Sequence, residues 1–128
     1  MNSPFLEIPK ARWLNESDHF FIVQDKYPVS EGHLLIVSKE LSRDFFELTN
    51  KEKTELPQMI TKAKSLIEEN HRPTGYNIGI NCGASAGQTV FHFHCHVIPR
   101  YEGDMADPRG GVRHSIEGKG YYYNKYTK

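Results

Sequence analysis

Residues 91–97, FHFHCHV, set His92, His94 and His96 at every second position, with Phe91, Phe93, Cys95 and Val97 between them. In an extended chain alternate side chains point to opposite faces, so the three imidazoles share one face and the apolar set the other. A polar sheet face is ordinarily filled by Thr, Lys, Glu or Ser, and histidine has no strand propensity that would set three in register. The row therefore reads as chemistry. Imidazole is partly neutral near neutral pH and attacks phosphorus, while flanking imidazoles can donate protons or hydrogen bonds to the group attacked. His94, in the middle, is the expected nucleophile, with His92 and His96 beside it. Just upstream, GASAGQT (residues 83–89) offers backbone N–H groups for an anion nest, with Gln88 and Thr89 adding side-chain donors.

Zinc is the rival use of such a row. The outer histidines would lie roughly 13 Å apart along a strand, too far to converge on one ion with bonds of about 2 Å. Two of them with His33 or a carboxylate would suffice, but no HExxH, paired cysteines or carboxylate cluster supports that set. No metal ligand is assigned.

These residues need elements to hold them. Residues 19–25 (HFFIVQD) and 33–37 (HLLIV) are short and rich in aromatic and branched side chains, and Pro28 and Gly32 punctuate the stretch between them; this pattern predicts a hairpin with a long loop. A short helical turn is expected in residues 38–53. Leu56, Met59, Ile60, Ala63, Leu66 and Ile67 follow helical spacing, predicting an amphipathic helix to about Asn70. Thr49 with Glu52 has the form of a capping box, but that start would leave Pro57 inside the helix, so Thr54 is the preferred N-cap. YNIGINCG and TVFHFHCHVIPR then read as two further strands around the small-residue turn GASAG. On the first, Ile78, Ile80 and Cys82 are expected in the core, and Gly79 hints at a ligand approaching closely. The expected architecture is α+β: an antiparallel sheet of about five strands with one long and one short helix, forming one domain over residues 1–128.

Composition narrows the partners. Sixteen basic residues balance sixteen acidic ones over 128 residues, so no overall field draws the chain to nucleic acid or an anionic membrane. Cys82 and Cys95 lack disulfide or zinc-clip spacing, which suits a reducing cytoplasm. No signal peptide or membrane span is predicted. Residues 105–128 read as an irregular tail, in which Arg109 or Arg113, or Arg100 just before it, is the candidate to meet distal phosphates, and Tyr121 to Tyr123 the candidate subunit contact. His19, His71 and His114 stand outside any constellation.

The segment GQTVFHFHCHVIPR (residues 87–100) resembles the signature of the histidine triad (HIT) superfamily of nucleotide hydrolases and transferases. EIPK, PVSEGHLLIVSKE and GYNIGINCGASAGQ occur in that family's order, covering roughly residues 5–104, and the chain looks closest to the branch with the fragile histidine triad protein and bacterial dinucleoside polyphosphate hydrolases. The resemblance implies that His94 takes a nucleotidyl group at its α-phosphate. It also implies that His92 and His96 orient it and contact phosphate oxygens or the leaving group, and that His33 is the family's fourth histidine. By the same resemblance Asp25 holds the ribose hydroxyls, Asn81, Gly87, Gln88 and Thr89 lie near the phosphates, and Val23 and Ile8 line the base pocket. A homodimer is implied, with no required cofactor, though a polyphosphate substrate would enter bound to magnesium. Two departures stand out. Ser38 and Leu41 in IVSKEL replace a Pro and a His common in relatives. His96 stands where the transferase branch has Gln, which favours a hydrolase.

Overall fold

In the computed structural model, residues 3–122 are described. They form a five-stranded antiparallel sheet with strand order β1-β2-β3-β5-β4 and one α-helix. The strands are β1 (Asn15–Glu16), β2 (Phe20–Gln24), β3 (Leu34–Ser38), β4 (Gly75–Gly79) and β5 (His94–Arg100); the helix α1 spans Asn50–Glu68. The short helix expected before α1 is a 3-10 turn, Phe45–Glu47, capped by the Asp44 carboxylate.

Alternation divides the sheet into two apolar faces. Phe20, Ile22, Leu34, Ile36, Cys95 and Val97 pack with Leu56, Met59, Ala63 and Ile67 of α1. Phe21, Val23, Leu35 and Val37 form a second cluster, covered by Phe5, Ile8 and Trp13 from the N-terminal segment. Because both faces of β2 and β3 are covered, their sequences read as continuous apolar runs, and each fully buried Leu, Ile or Phe contributes about 1.5–3 kcal/mol. Trp13 stacks on Phe21 with ring centroids 4.2 Å apart.

Three expectations need correction. The helix starts at the earlier cap: the Glu52 N–H donates to the Thr49 hydroxyl (3.1 Å) and the Thr49 N–H to the Glu52 carboxylate (2.7 Å), while the Thr54 hydroxyl donates back to the Asn50 carbonyl. Pro57 is accommodated inside α1 on its exposed side, so the two bonds of the capping box outweigh the one backbone donor it lacks. Ile78 is not core: β4 is an edge strand, and the side chain is 45% exposed. Phe91 lies outside β5 and is also exposed, with the Arg43 guanidinium 4.9 Å from its ring centre.

The site is positioned by pairing. His94 and His96 sit opposite Val37 and Leu35 on β3, and Gly79 of β4 sits opposite His96. The β2–β3 loop is tied to β5 by the Ser30 hydroxyl, which donates to the Pro99 carbonyl at 2.7 Å, and by the Tyr101 hydroxyl on the Glu31 carbonyl. Gly32 turns that loop at φ +92°, packed so closely on His71 that a Cβ would lie 3.1 Å from its ring. His33 follows directly. Among the described residues no helix is long and apolar enough to cross a membrane.

Candidate active site

Only His94 and His96 of the histidine row lie on β5; His92 precedes it in a bend and is fully buried. Both its ring nitrogens are engaged within the protein. Nε2 lies 2.7 Å from the Ser38 carbonyl, which can only accept, so Nε2 carries the proton; Nδ1 then accepts from the Ser3 hydroxyl at 2.7 Å. Ser3 in turn accepts from the Phe5 N–H. Burial, with His94 adding to it, pushes the His92 imidazole below its ordinary pKa, against the Ser38 bond. With both ring nitrogens engaged, the ring has neither left for the implied contact with phosphate.

The His92 backbone positions His94. His94 Nδ1 lies 2.8 Å from the His92 carbonyl oxygen, again an acceptor only, so Nδ1 holds the proton and Nε2 keeps an unshared pair. The ring stands edge-on between Phe5, 4.8 Å away, and His96, 5.4 Å away by ring centroids.

A second chain fixes His96. The Val29 N–H donates to His33 Nδ1 at 3.1 Å, which leaves the proton on His33 Nε2, and that nitrogen lies 2.9 Å from His96 Nδ1. His96 Nδ1 thus accepts, and its Nε2 carries a proton available for donation. Burial, then His94 and His33, push the His96 imidazole down to about 4, with Asp25 opposing. His33 is also pushed down by burial, with Asp25 pulling the other way. Asp25 Oδ2 lies 3.3 Å from His33 Nε2 and 3.7 Å from His96 Nδ1, while Oδ1 accepts from the Tyr27 N–H. The carboxylate expected at the ribose thus neighbours the histidine pair.

Asp25, His33 and His96 bring ligand-type atoms within 4.8 Å of one another, a spacing that a metal ion could use. The donor set argues otherwise. A ligating histidine normally donates its second ring N–H to an acceptor, whereas His33 Nδ1 receives a backbone N–H, so ligation through Nε2 would require an imidazole without either proton.

Three cavities are lined by the expected site residues, and one of them reaches the histidines. One of about 310 Å³ is lined by Phe5, Ile8, Val23 and Leu35, among others, and so holds both expected base-pocket residues. A second, about 360 Å³, has His33, His96 and Asn81 in its wall. The third, about 780 Å³, lies along the 83–87 loop and includes Asn81 and Gly87. Gln88 is a correction. It is buried, its Oε1 accepts from the Gly83 N–H (2.7 Å), and its Nε2 donates to the Arg43 (2.6 Å) and Val90 carbonyls, so it holds the loop rather than offering donors to phosphate. Thr89 is exposed beside it.

Residues 7–103 match the HIT domain family. The chain is a HIT domain protein. It is 36% identical over 94 residues to an uncharacterized 16.1 kDa HIT-like protein of Mycoplasma pneumoniae, covering 73% of this chain and 65% of that one. It is also 36% identical over 110 residues to the AP-4-A phosphorylase of Mycobacterium tuberculosis, covering 79% of this chain and 55% of that protein. The chain thus spans little more than half to two thirds of these relatives' lengths. Among solved structures, a HIT family protein from Bacillus anthracis superposes with a TM-score of 0.73 at 29% identity, covering 98% of this chain and 86% of that one.

Several residues of the HIT site carried no sequence signal. Ser3 and Phe5 reach His92 and His94 from some ninety positions away. Val29 acts through its backbone, and Gly111 and Val112 line two of the cavities from the C-terminal segment. Only the apolar character of Phe5 and Val112 could have marked them.

Proposed function

We propose that this HIT protein hydrolyses nucleotide conjugates at the α-phosphate, dinucleoside polyphosphates or related nucleoside phosphoramidates, through a nucleotidyl-histidine intermediate. One observation carries the reading: the Nδ1–H of His94 is held by the His92 carbonyl, which leaves Nε2 as a free nucleophile.

In the first step Nε2 bonds to phosphorus in line with the departing group, whose bond to phosphorus breaks with its electron pair. His96 Nε2–H supplies a hydrogen bond or proton to that group. Water then attacks the same phosphorus, the N–P bond breaks, and the electron pair returns to Nε2 with release of a nucleoside monophosphate. Val23, Ile8 and Phe5 would hold the base, Asp25 the ribose, and Asn81, Gly87 and Thr89 the phosphates. No step needs a metal held by the chain; a polyphosphate would bring its own magnesium.

The test is mass spectrometry without acid after brief mixing with a dinucleoside polyphosphate or adenosine 5′-phosphoramidate. A nucleotidyl mass increment in the native chain, absent from His94→Ala, supports the proposal; nucleotide binding with neither adduct nor product overturns it. The resemblance to an AP-4-A phosphorylase favours a second reading, in which inorganic phosphate replaces water as acceptor. Turnover in phosphate buffer distinguishes the two, since phosphorolysis yields a nucleoside diphosphate.

The proposal includes a homodimer. The free edge of β4 and the exposed Ile78 support pairing through that strand, and light scattering would measure it.

A further inference from the structure

We propose that a cavity between the N-terminal segment and the end of β3 is a second ligand site, separate from the histidine row, and that it takes a small carboxylate with an apolar body. Phe5, Leu6, Lys10, Trp13, Phe21 and Lys39 line this cavity of about 190 Å³. The inference does not depend on the hydrolase reading.

The Trp13 indole points to a ligand. Its Nε1 is buried and, among the described residues, has no hydrogen-bond acceptor. Buried donors in folded chains are nearly always satisfied, so an orphaned N–H in a cavity wall asks for an acceptor from outside the chain. The ring itself is held in place. Phe21 stacks on one face at 4.2 Å with the planes 10° apart, and the ammonium groups of Lys10 and Lys39 stand 5.4 and 5.8 Å from the ring centre.

Charge sets the class of the occupant. Among the described residues that line the cavity, Lys10 and Lys39 are the charged ones. Lys39 Nζ also lies 2.7 Å from the Glu16 carboxylate, on which Lys10 acts through its charge as well. Two ammonium groups and one carboxylate leave a single positive charge, which a monoanion matches and a phosphate dianion exceeds. Phe5, Leu6 and Phe21 supply apolar wall for the rest of the molecule. A cation over an exposed ring is held weakly, whereas a charge-assisted hydrogen bond is among the strong ones. An entering carboxylate therefore draws the ammonium groups from over the indole and accepts from the N–H beneath them.

The location gives the site a consequence. Ser3 and the Ser38 carbonyl hold the two ring nitrogens of His92, and the cavity wall comes from the residues that follow them: Phe5 and Leu6 after Ser3, Lys39 after Ser38. A carboxylate bonded to Trp13, Lys10 and Lys39 would tie the N-terminal segment to the end of β3 beside both anchors of that ring. Phe5 also stands against His94 and lines the base cavity. Occupancy thus braces the segment on which the histidine row depends.

Trp13 is the single tryptophan of the chain, so its fluorescence reads the site directly. Benzoate, its neutral analogue benzamide and inorganic phosphate are titrated against the full chain, and calorimetry repeats the benzoate titration in Trp13→Phe, Lys10→Gln and Lys39→Gln. Benzoate should give a saturable fluorescence change at millimolar concentration or below, tighter than benzamide or phosphate, and should raise the thermal midpoint. Trp13→Phe keeps a ring on Phe21 but loses the donor; there, and in at least one lysine variant, benzoate affinity should fall about fivefold or more. Far-UV circular dichroism shows that each variant is folded. No saturable change with benzoate, equal affinity for benzamide, or tighter binding of phosphate overturns the inference. So does a benzoate affinity unchanged in the folded Trp13→Phe or in both folded lysine variants, the result expected if benzoate sits in the base cavity instead.

Discussion

His94 Nδ1 lies 2.8 Å from the backbone carbonyl oxygen of the fully buried His92. Two residues of one motif thus act on each other through backbone rather than ring. Replacing His94 with Ala should lower kcat by about 10⁴-fold or more, the scale of losing a covalent nucleophile, with nucleotide affinity kept within a few-fold. Stopped-assay turnover together with calorimetric binding checks both halves.

Acid should destabilise the fold through the histidines. His96 is pushed down to about 4, and His33 and His92 are also pushed down, all chiefly by burial. Below pH 6.5 the unfolded chain binds more protons at these sites than the folded one, so stability is full above about 6.5 and falls continuously toward 4, by about 3 kcal/mol for His96 alone. Urea midpoints measured from pH 7.5 to 4 should show this slope, and His96→Asn should flatten it. A midpoint independent of pH over that window would refute the assignment of neutral, buried rings.

Gln88 gives an ordered pair of variants. Gln88→Ala leaves the Gly83 N–H and two carbonyls without their partner, while Gln88→Glu sets a carboxylate against the same two carbonyls. Both should raise KM by loosening the 83–87 loop. In urea the first should cost about 1–3 kcal/mol and the second more. A Glu variant as stable as the native chain would contradict the donor assignment.

Pro57 should be replaceable to advantage. Inside α1 it supplies no backbone donor and its side is exposed. Pro57→Ala is expected to raise stability by about 1–3 kcal/mol without changing turnover, as read from the urea midpoint.

Local pattern made most of the fold legible. Alternation in residues 91–97 and 33–37, the helical spacing from Leu56 to Ile67 and the punctuation at Gly32 are statements about neighbours in sequence, and the sheet and helix follow them. The misplacements share a cause. Ile78 and Phe91 have core parity but fall on an edge strand and before a strand, and both stay more than two-fifths exposed (45% and 41%). At the helix start two local signals compete, Pro57 for Thr54 and the capping box for Thr49, and the reciprocal bonds at Thr49 prevail. At the site, the histidines could be grouped from spacing and the resemblance, but the tautomers depend on Ser3, Ser38 and Val29, whose proximity only the folded chain creates. The tail lacks periodicity, so its packing had no sequence trace; Tyr123, part of the expected subunit contact, lies outside the described residues.

Ser3→Ala should cost about 1–3 kcal/mol, since His92 Nδ1 would be left buried without a donor. Turnover should fall with it, because the same contact seats Phe5 against His94. Equal denaturation midpoints for the two proteins would count against it.

The same Ser3 link has a practical side. Ser3 holds the His92 ring and Phe5 flanks His94, so the middle of the sheet is mechanically coupled to the segment that carries these two residues. Cutting or restraining the stretch that carries Ser3 and Phe5 is thus an intervention in the histidine row itself.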